Sequence, residues 1–94
     1  MLSKQTGASV VVTTTASSVI VNVTNYDGTP VRKVRIANDT APALIAITTS
    51  SNLSGAGILV PAGTAEHFSL EGSNHIHIVR SGSTNGIASI TPVA

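Results

Sequence analysis

Histidine is the residue type here whose spacing comes nearest to a recognisable chemistry. His75-Ile76-His77 has the i, i+2 spacing that puts two imidazoles on one face of an extended strand, roughly 7 Å apart at the Cα atoms. His67 precedes them in the neighbouring apolar segment. Neutral imidazole is the commonest metal ligand, so the three define a candidate metal site. A catalytic zinc centre needs three protein ligands. With a turn centred on Gly72-Ser73, Phe68 falls opposite His77 and Leu70 opposite His75, which sends His67 to the other face. No carboxylate is placed to complete the set. The expectation is no metal and no cofactor, with the His75 and His77 pair exposed or interfacial.

Other catalytic arrangements find less support. Ser, His and Asp are all present, but no Gly-x-Ser-x-Gly elbow seats a nucleophile. Asp27, Asp39, Glu66 and Glu71 lie in turns or beside them and form no patterned acid pair. Gly55-Ala56-Gly57 is too short for a phosphate loop and lacks the following Lys. The chain is therefore not expected to be an enzyme. Arg32-Lys33-x-Arg35 is the one concentration of charge. On an alternating strand it splits across two faces, and two readings compete: protection of an edge strand by Lys and Arg, which is favoured, and an anionic partner surface. One Tyr and one Phe cannot build a stacking platform for bases or sugars, and Tyr26 is the single exposed aromatic expected.

These residues have to be positioned by strands. β-Branched segments recur at the spacing of a sandwich or barrel: Ser9 to Thr15, Ser18 to Asn25, Val31 to Asn38, Ala43 to Thr49, Ile58 to Val60, Thr64 to Leu70, Asn74 to Arg80 and Ile87 to Thr91. Asp27-Gly28 followed by Pro30 predicts a turn that returns Val31 to Asn38 as the hairpin partner of Ser18 to Asn25. Val34 and Ile36 then share the core face, with Lys33 and Arg35 pointing away. Thr64 to Leu70 and Asn74 to Arg80 are expected to pair as a second hairpin. Ala43 to Thr49, almost continuously apolar, reads as a central strand buried on both sides. Residues 50–57 and 81–86 are the Ser- and Gly-rich loops. The predicted fold is an all-β, single small β-sandwich, jelly-roll-like or immunoglobulin-like, of about eight short antiparallel strands. Residues 1–15 form an N-terminal arm and possible first strand, and 16–94 the sandwich.

Composition sets the remaining limits. Cysteine is absent, which removes disulfides, thiolate metal sites and thiol nucleophiles. A formal charge of +1 is too small for a nucleic-acid footprint. No run approaches the roughly 20 apolar residues of a membrane helix, and the start of the chain lacks a signal-peptide core. Val, Ile and Leu supply nearly all of the core, with almost no large aromatic area to help them. A core this thin predicts that apolar surface is completed by other subunits, making the chain a homo-oligomer.

Read as strings, Val31 to Asn38 (VRKVRIAN), Ile58 to Phe68 (ILVPAGTAEHF), Asn74 to Val79 (NHIHIV) and Ile87 to Pro92 (IASITP) resemble small virion proteins of tailed bacteriophages. That resemblance implies a capsid decoration or cement protein: a structural component made in the host cytoplasm and held on the capsid exterior. It would bind the major capsid protein and bridge neighbouring capsid subunits, and the resemblance implies a homo-oligomer, with a trimer expected. Contact candidates are the arm, with Leu2, Lys4, Val10 and Val12, which could extend across a neighbour, and the strand carrying Arg32, Lys33 and Arg35. The alternatives are a host-surface adhesion or receptor-binding module on the virion, and a head–tail or tail structural component.

Overall fold

A computed structural model describes residues 4–48, 57–72 and 75–94. They form eight strands and no helix: β1 (Val10–Thr14), β2 (Val19–Val21), β3 (Lys33–Asn38), β4 (Ala43–Thr48), β5 (Ile58–Val60), β6 (Ala65–Ser69), β7 (His75–Arg80) and β8 (Gly86–Val93). All eight predicted segments are strands, because each combines β-branched residues with turn residues at its ends.

The strands build two four-stranded sheets. Sheet one has the order β1-β8-β3-β6 and sheet two the order β2-β7-β4-β5, every pairing antiparallel. The pairs β1·β8, β2·β7, β3·β6 and β4·β5 are those of one long hairpin rolled over on itself. This is the strand order of a jelly roll, and it separates the fold from the immunoglobulin alternative.

That topology corrects both expected hairpins. β2 and β3 lie in different sheets, so the Tyr26 to Pro30 segment carries the chain across the sandwich. Its local chemistry is still that of a turn. Gly28 sits at φ +79°, Gly28 N–H bonds the Asn25 carbonyl at 3.1 Å, and Asp27 Oδ1 accepts the Thr29 hydroxyl at 2.6 Å and the Thr29 N–H at 3.0 Å. These bonds, the hydroxyl's foremost, hold the Asp27 carboxyl below its usual range. β6 and β7 are likewise in different sheets, and the crossing passes through Glu71 and Gly72, both in the left-handed region. Consequently Phe68 does not face His77, nor Leu70 His75.

The inner faces meet in a core of Val34, Ile36, Phe68, Ala88 and Ile90 from sheet one against Val21, Ala43, Ile45, Val60, Ile76 and Ile78 from sheet two. Strict alternation puts these side chains inward. β4 is an interior strand, but only its inner face is fully buried: Ile45 is enclosed while Leu44, Ala46 and Thr48 are half-buried. Thr49 lies outside the described residues. Two buried polar groups tie separate elements together. Asn38 Nδ2 donates to the Val60 carbonyl at 2.7 Å, joining the end of β3 to the end of β5, and Thr14 Oγ1 accepts the Gly86 N–H at 3.0 Å.

Candidate functional site

The two outer faces of the sandwich differ in chemistry, and sheet one carries most of the residues that the sequence singled out. β3 is flanked by β8 on one side and β6 on the other, so Lys33 and Arg35 do not guard an edge. The edge-protection reading is thereby overturned. Lys is depleted in strands, and its side chain gains nothing from the core when it points to solvent. Both cations stand exposed on the outward face of an interior strand.

Register shows what surrounds them. Arg35 lies directly between His67 on β6 and Thr91 on β8, and Lys33 lies beside Ser69. Direct cross-strand partners have Cβ atoms about 4.5–5.5 Å apart, so Arg35 and His67 form one patch. Ala37, Ala65, Ser89 and Thr13 continue the same face. Among the described residues no carboxylate occupies an outward position on the strands of sheet one: Glu66 pairs with Ile36 on the opposite parity, and Asp27, Asp39 and Glu71 lie outside the strands. The result is a face with Lys33, Arg35 and His67 on β3 and β6, small side chains between, and the exposed Val11 and Ile87 on the β1 and β8 side. Arg32 precedes β3, exposed, and its carbonyl accepts the Leu70 N–H at 2.8 Å.

The arm is a part of the sandwich. Val10–Thr14 pairs with β8, and the preceding residues are bonded to their own chain: Thr6 N–H to the Pro92 carbonyl, Ala94 N–H to the Lys4 carbonyl, and Tyr26 N–H to the Thr6 carbonyl, each at 2.9 Å. Gly7 permits this, since a Cβ there would collide with the Thr24 carbonyl. Val10 and Val12 turn inward and pack half-buried against the core, while the outward-facing Val11 is 66 % exposed. Lys4 is exposed, and Leu2 lies outside the described residues. Tyr26 is exposed as expected, with Gln5 Nε2 donating to its hydroxyl at 3.4 Å.

The histidines divide between the sheets. His67 is on the outer face of sheet one, while His75 and His77 share the outer face of sheet two, so the three never converge. The His75 and His77 rings are stacked, with centroids 6.2 Å apart and an interplanar angle of 24°. Stacked rings turn their faces toward each other, which is not how two imidazoles aim nitrogens at one ion about 2 Å away. Among the described residues no group of three His, Cys, Asp or Glu is arranged to hold a metal. His77 is buried, and its Nε2 lies 3.3 Å from Thr48 Oγ1. A hydroxyl beside an imidazole is the start of a nucleophile and base pair, yet sheet two offers no carboxylate to orient the ring.

Two concavities complete the surface. An open groove of about 1140 Å³ runs under the crossing from β2 to β3, with Val21, Val23, Val31 and Leu70 along it and Arg32 and Lys33 at its rim. A smaller slot of about 570 Å³ opens between β5 and β6, walled by Ile45, Ile47 and Phe68 with Glu66 and His67 at its mouth. Ser69 also lines the slot, but on β6 Glu66 has the opposite parity to His67 and Ser69, so the three do not share a face. Comparison of the chain with protein-family models, curated proteins and solved structures finds no match.

Proposed function

We propose that the protein is a non-enzymatic structural component of a virion that binds the outer capsid surface and bridges neighbouring capsid subunits. The observation that carries this reading is the basic outer face of sheet one: Lys33 and Arg35 on an interior strand, beside His67, with no carboxylate among them. Loss of the edge-protection explanation leaves a partner as the reason for placing two cations there. The resemblance of the segments from Val31 onward to small phage virion proteins supplies the partner class. The partner is the major capsid protein, presenting an acidic patch on the shell exterior, and the protein reaches it after synthesis in the host cytoplasm.

Binding through this face is electrostatic in its approach. Opposite charge steers encounter and fixes orientation, and salt shortens its reach, since the Debye length is about 8 Å at physiological ionic strength. Binding to capsids is thus expected to weaken as salt rises. The test is co-sedimentation of purified protein with capsids that lack it. Wild type should bind, and Lys33→Glu with Arg35→Glu should weaken binding by about a hundredfold, or 2.7 kcal/mol, while the variant stays folded. Equal binding of the variant, or no binding of the wild type, overturns the proposal.

A further inference from the structure

We infer that sheet two is the self-association surface of the protein, and that copies join head to tail with β5 of one adding to β2 of the next. This goes beyond capsid binding and does not depend on it. Among the described residues β2 and β5 are the two edges of sheet two, each paired with a single neighbouring strand. Lys and Arg, the usual charged guards of a soluble edge, are absent from both strands: β2 is Val-Ile-Val and β5 is Ile-Leu-Val, with Pro61 after β5, and their shortness is the main limit on pairing. Each lies in a long uncharged stretch of chain, Gln5 to Tyr26 and Thr40 to Ala65. Val19 and Ile20 are each 40 % exposed, Leu59 51 % and Ile58 61 %, which places four of the exposed large apolar side chains on these two strands.

Several observations select a second copy as the occupant. An unpaired strand edge recruits another strand, whose backbone satisfies its hydrogen bonds. The two edges match each other: both are uncharged and equal in length, so they approach without desolvating an ion. Their directions also fit. Antiparallel alternation through β2, β7, β4 and β5 makes the two edge strands run in opposite directions. A copy rotated about an axis along the strands therefore presents its β2 antiparallel to β5 of the first, and the ladder continues. Area then decides between a pair and a ring. A three-residue edge spans about 10 Å. With a sheet roughly 10 Å thick, an edge strip of that length covers on the order of 100 Å², well short of the roughly 800 Å² per partner of a stable pairwise interface. In a closed ring each subunit is held by both edges and leaves only by breaking both. Ile20 and Leu59 share the outer face, so they meet across the new contact.

Sedimentation velocity of the purified full chain at tens of micromolar tests this, with circular-dichroism melts to show that each variant is folded. Wild type should sediment as a closed oligomer larger than a dimer. Ile20→Lys and Leu59→Glu, made separately, should each weaken assembly by about tenfold or more. The double variant I20K/L59E should recover it, because head-to-tail contact pairs the new charges, whereas contact of like edges would double a repulsion. A wild-type monomer or dimer, unchanged assembly of the single variants, or failure of the double variant to recover overturns the inference. Capsid binding is read independently through Lys33 and Arg35, so either proposal can fail alone.

Discussion

Sheet one and sheet two have nearly interchangeable inner faces and opposite outer ones. Inside, each contributes Val and Ile side chains with almost no exposed surface, such as Ile36 and Ile90 from one and Ile45 and Ile78 from the other. Outside, sheet one carries Lys33, Arg35 and His67 on β3 and β6 with the exposed Val11 and Ile87 on β1 and β8, whereas sheet two carries Ile20, Leu44, Leu59 and Val79 around a stacked histidine pair. Arg80, at the end of β7 and bonded to Asn85 Oδ1 at 2.7 Å, is the one charged residue in the strands of sheet two. A jelly roll needs only the inward half of each strand to fold. The outward half is free to encode two different surfaces, and in this chain Lys33 and Arg35 stand on one of them, while on the interior strands of the other the one Lys or Arg is Arg80, at the end of β7.

The first way to break this comparison is through the shared core. Ile36→Ala and Ile45→Ala should each cost about 2–5 kcal/mol, read by denaturant unfolding, because both remove fully buried methyl groups from a core with little aromatic mass. Near-equal losses would support equivalent inner faces, and a negligible loss in one sheet would show that it packs loosely. A smaller effect is expected at the tie between the sheets. Asn38→Ala leaves the buried Val60 carbonyl without its donor and should cost about 1–3 kcal/mol in the same measurement.

The smallest effect lies at the crossing between the sheets and depends on pH. Because folding holds the Asp27 carboxyl below its ordinary value, the bonds to Thr29 contribute stability at neutral pH. That contribution is present above the unfolded value and is lost as pH falls through the lower folded one. NMR titration of the Asp27 carboxyl should give a midpoint below 3.8 in the wild type. Thr29→Ala should bring it back toward that value.

How much of this was legible in the sequence follows from which properties are local. Strand positions and the inward set of Val34, Ile36, Ile76 and Ile78 were readable, since alternation and turn residues act within a few positions. Pairing was not. Asp27-Gly28 makes the same turn whether the chain returns to its own sheet or crosses to the other one. In a jelly roll only β4 and β5 pair as sequence neighbours. Edge status is equally non-local, and for that reason Lys33 and Arg35 were read as guards of an edge that β6 and β8 in fact occupy. The arm misled for a similar reason: Val10 and Val12 were taken with the exposed Lys4, but pairing with β8 turns them inward. One legible sign of sheet two's outer face was overlooked, the absence of charge from Gln5 to Tyr26 and from Thr40 to Ala65.

The absence of cysteine allows the division between the two faces to be tested by single-cysteine labelling on the capsid. Ala65→Cys places a thiol on the exposed outer face of sheet one beside Ala37, and Leu44→Cys places one on the half-buried outer side of sheet two, away from its edges. Maleimide labelling rates for each, measured on free protein and on protein bound to capsids, report which face meets the shell. The account predicts that capsid binding slows labelling at position 65 by about tenfold or more and leaves the rate at position 44 unchanged. Unaltered labelling at position 65 in capsid-bound protein would contradict it.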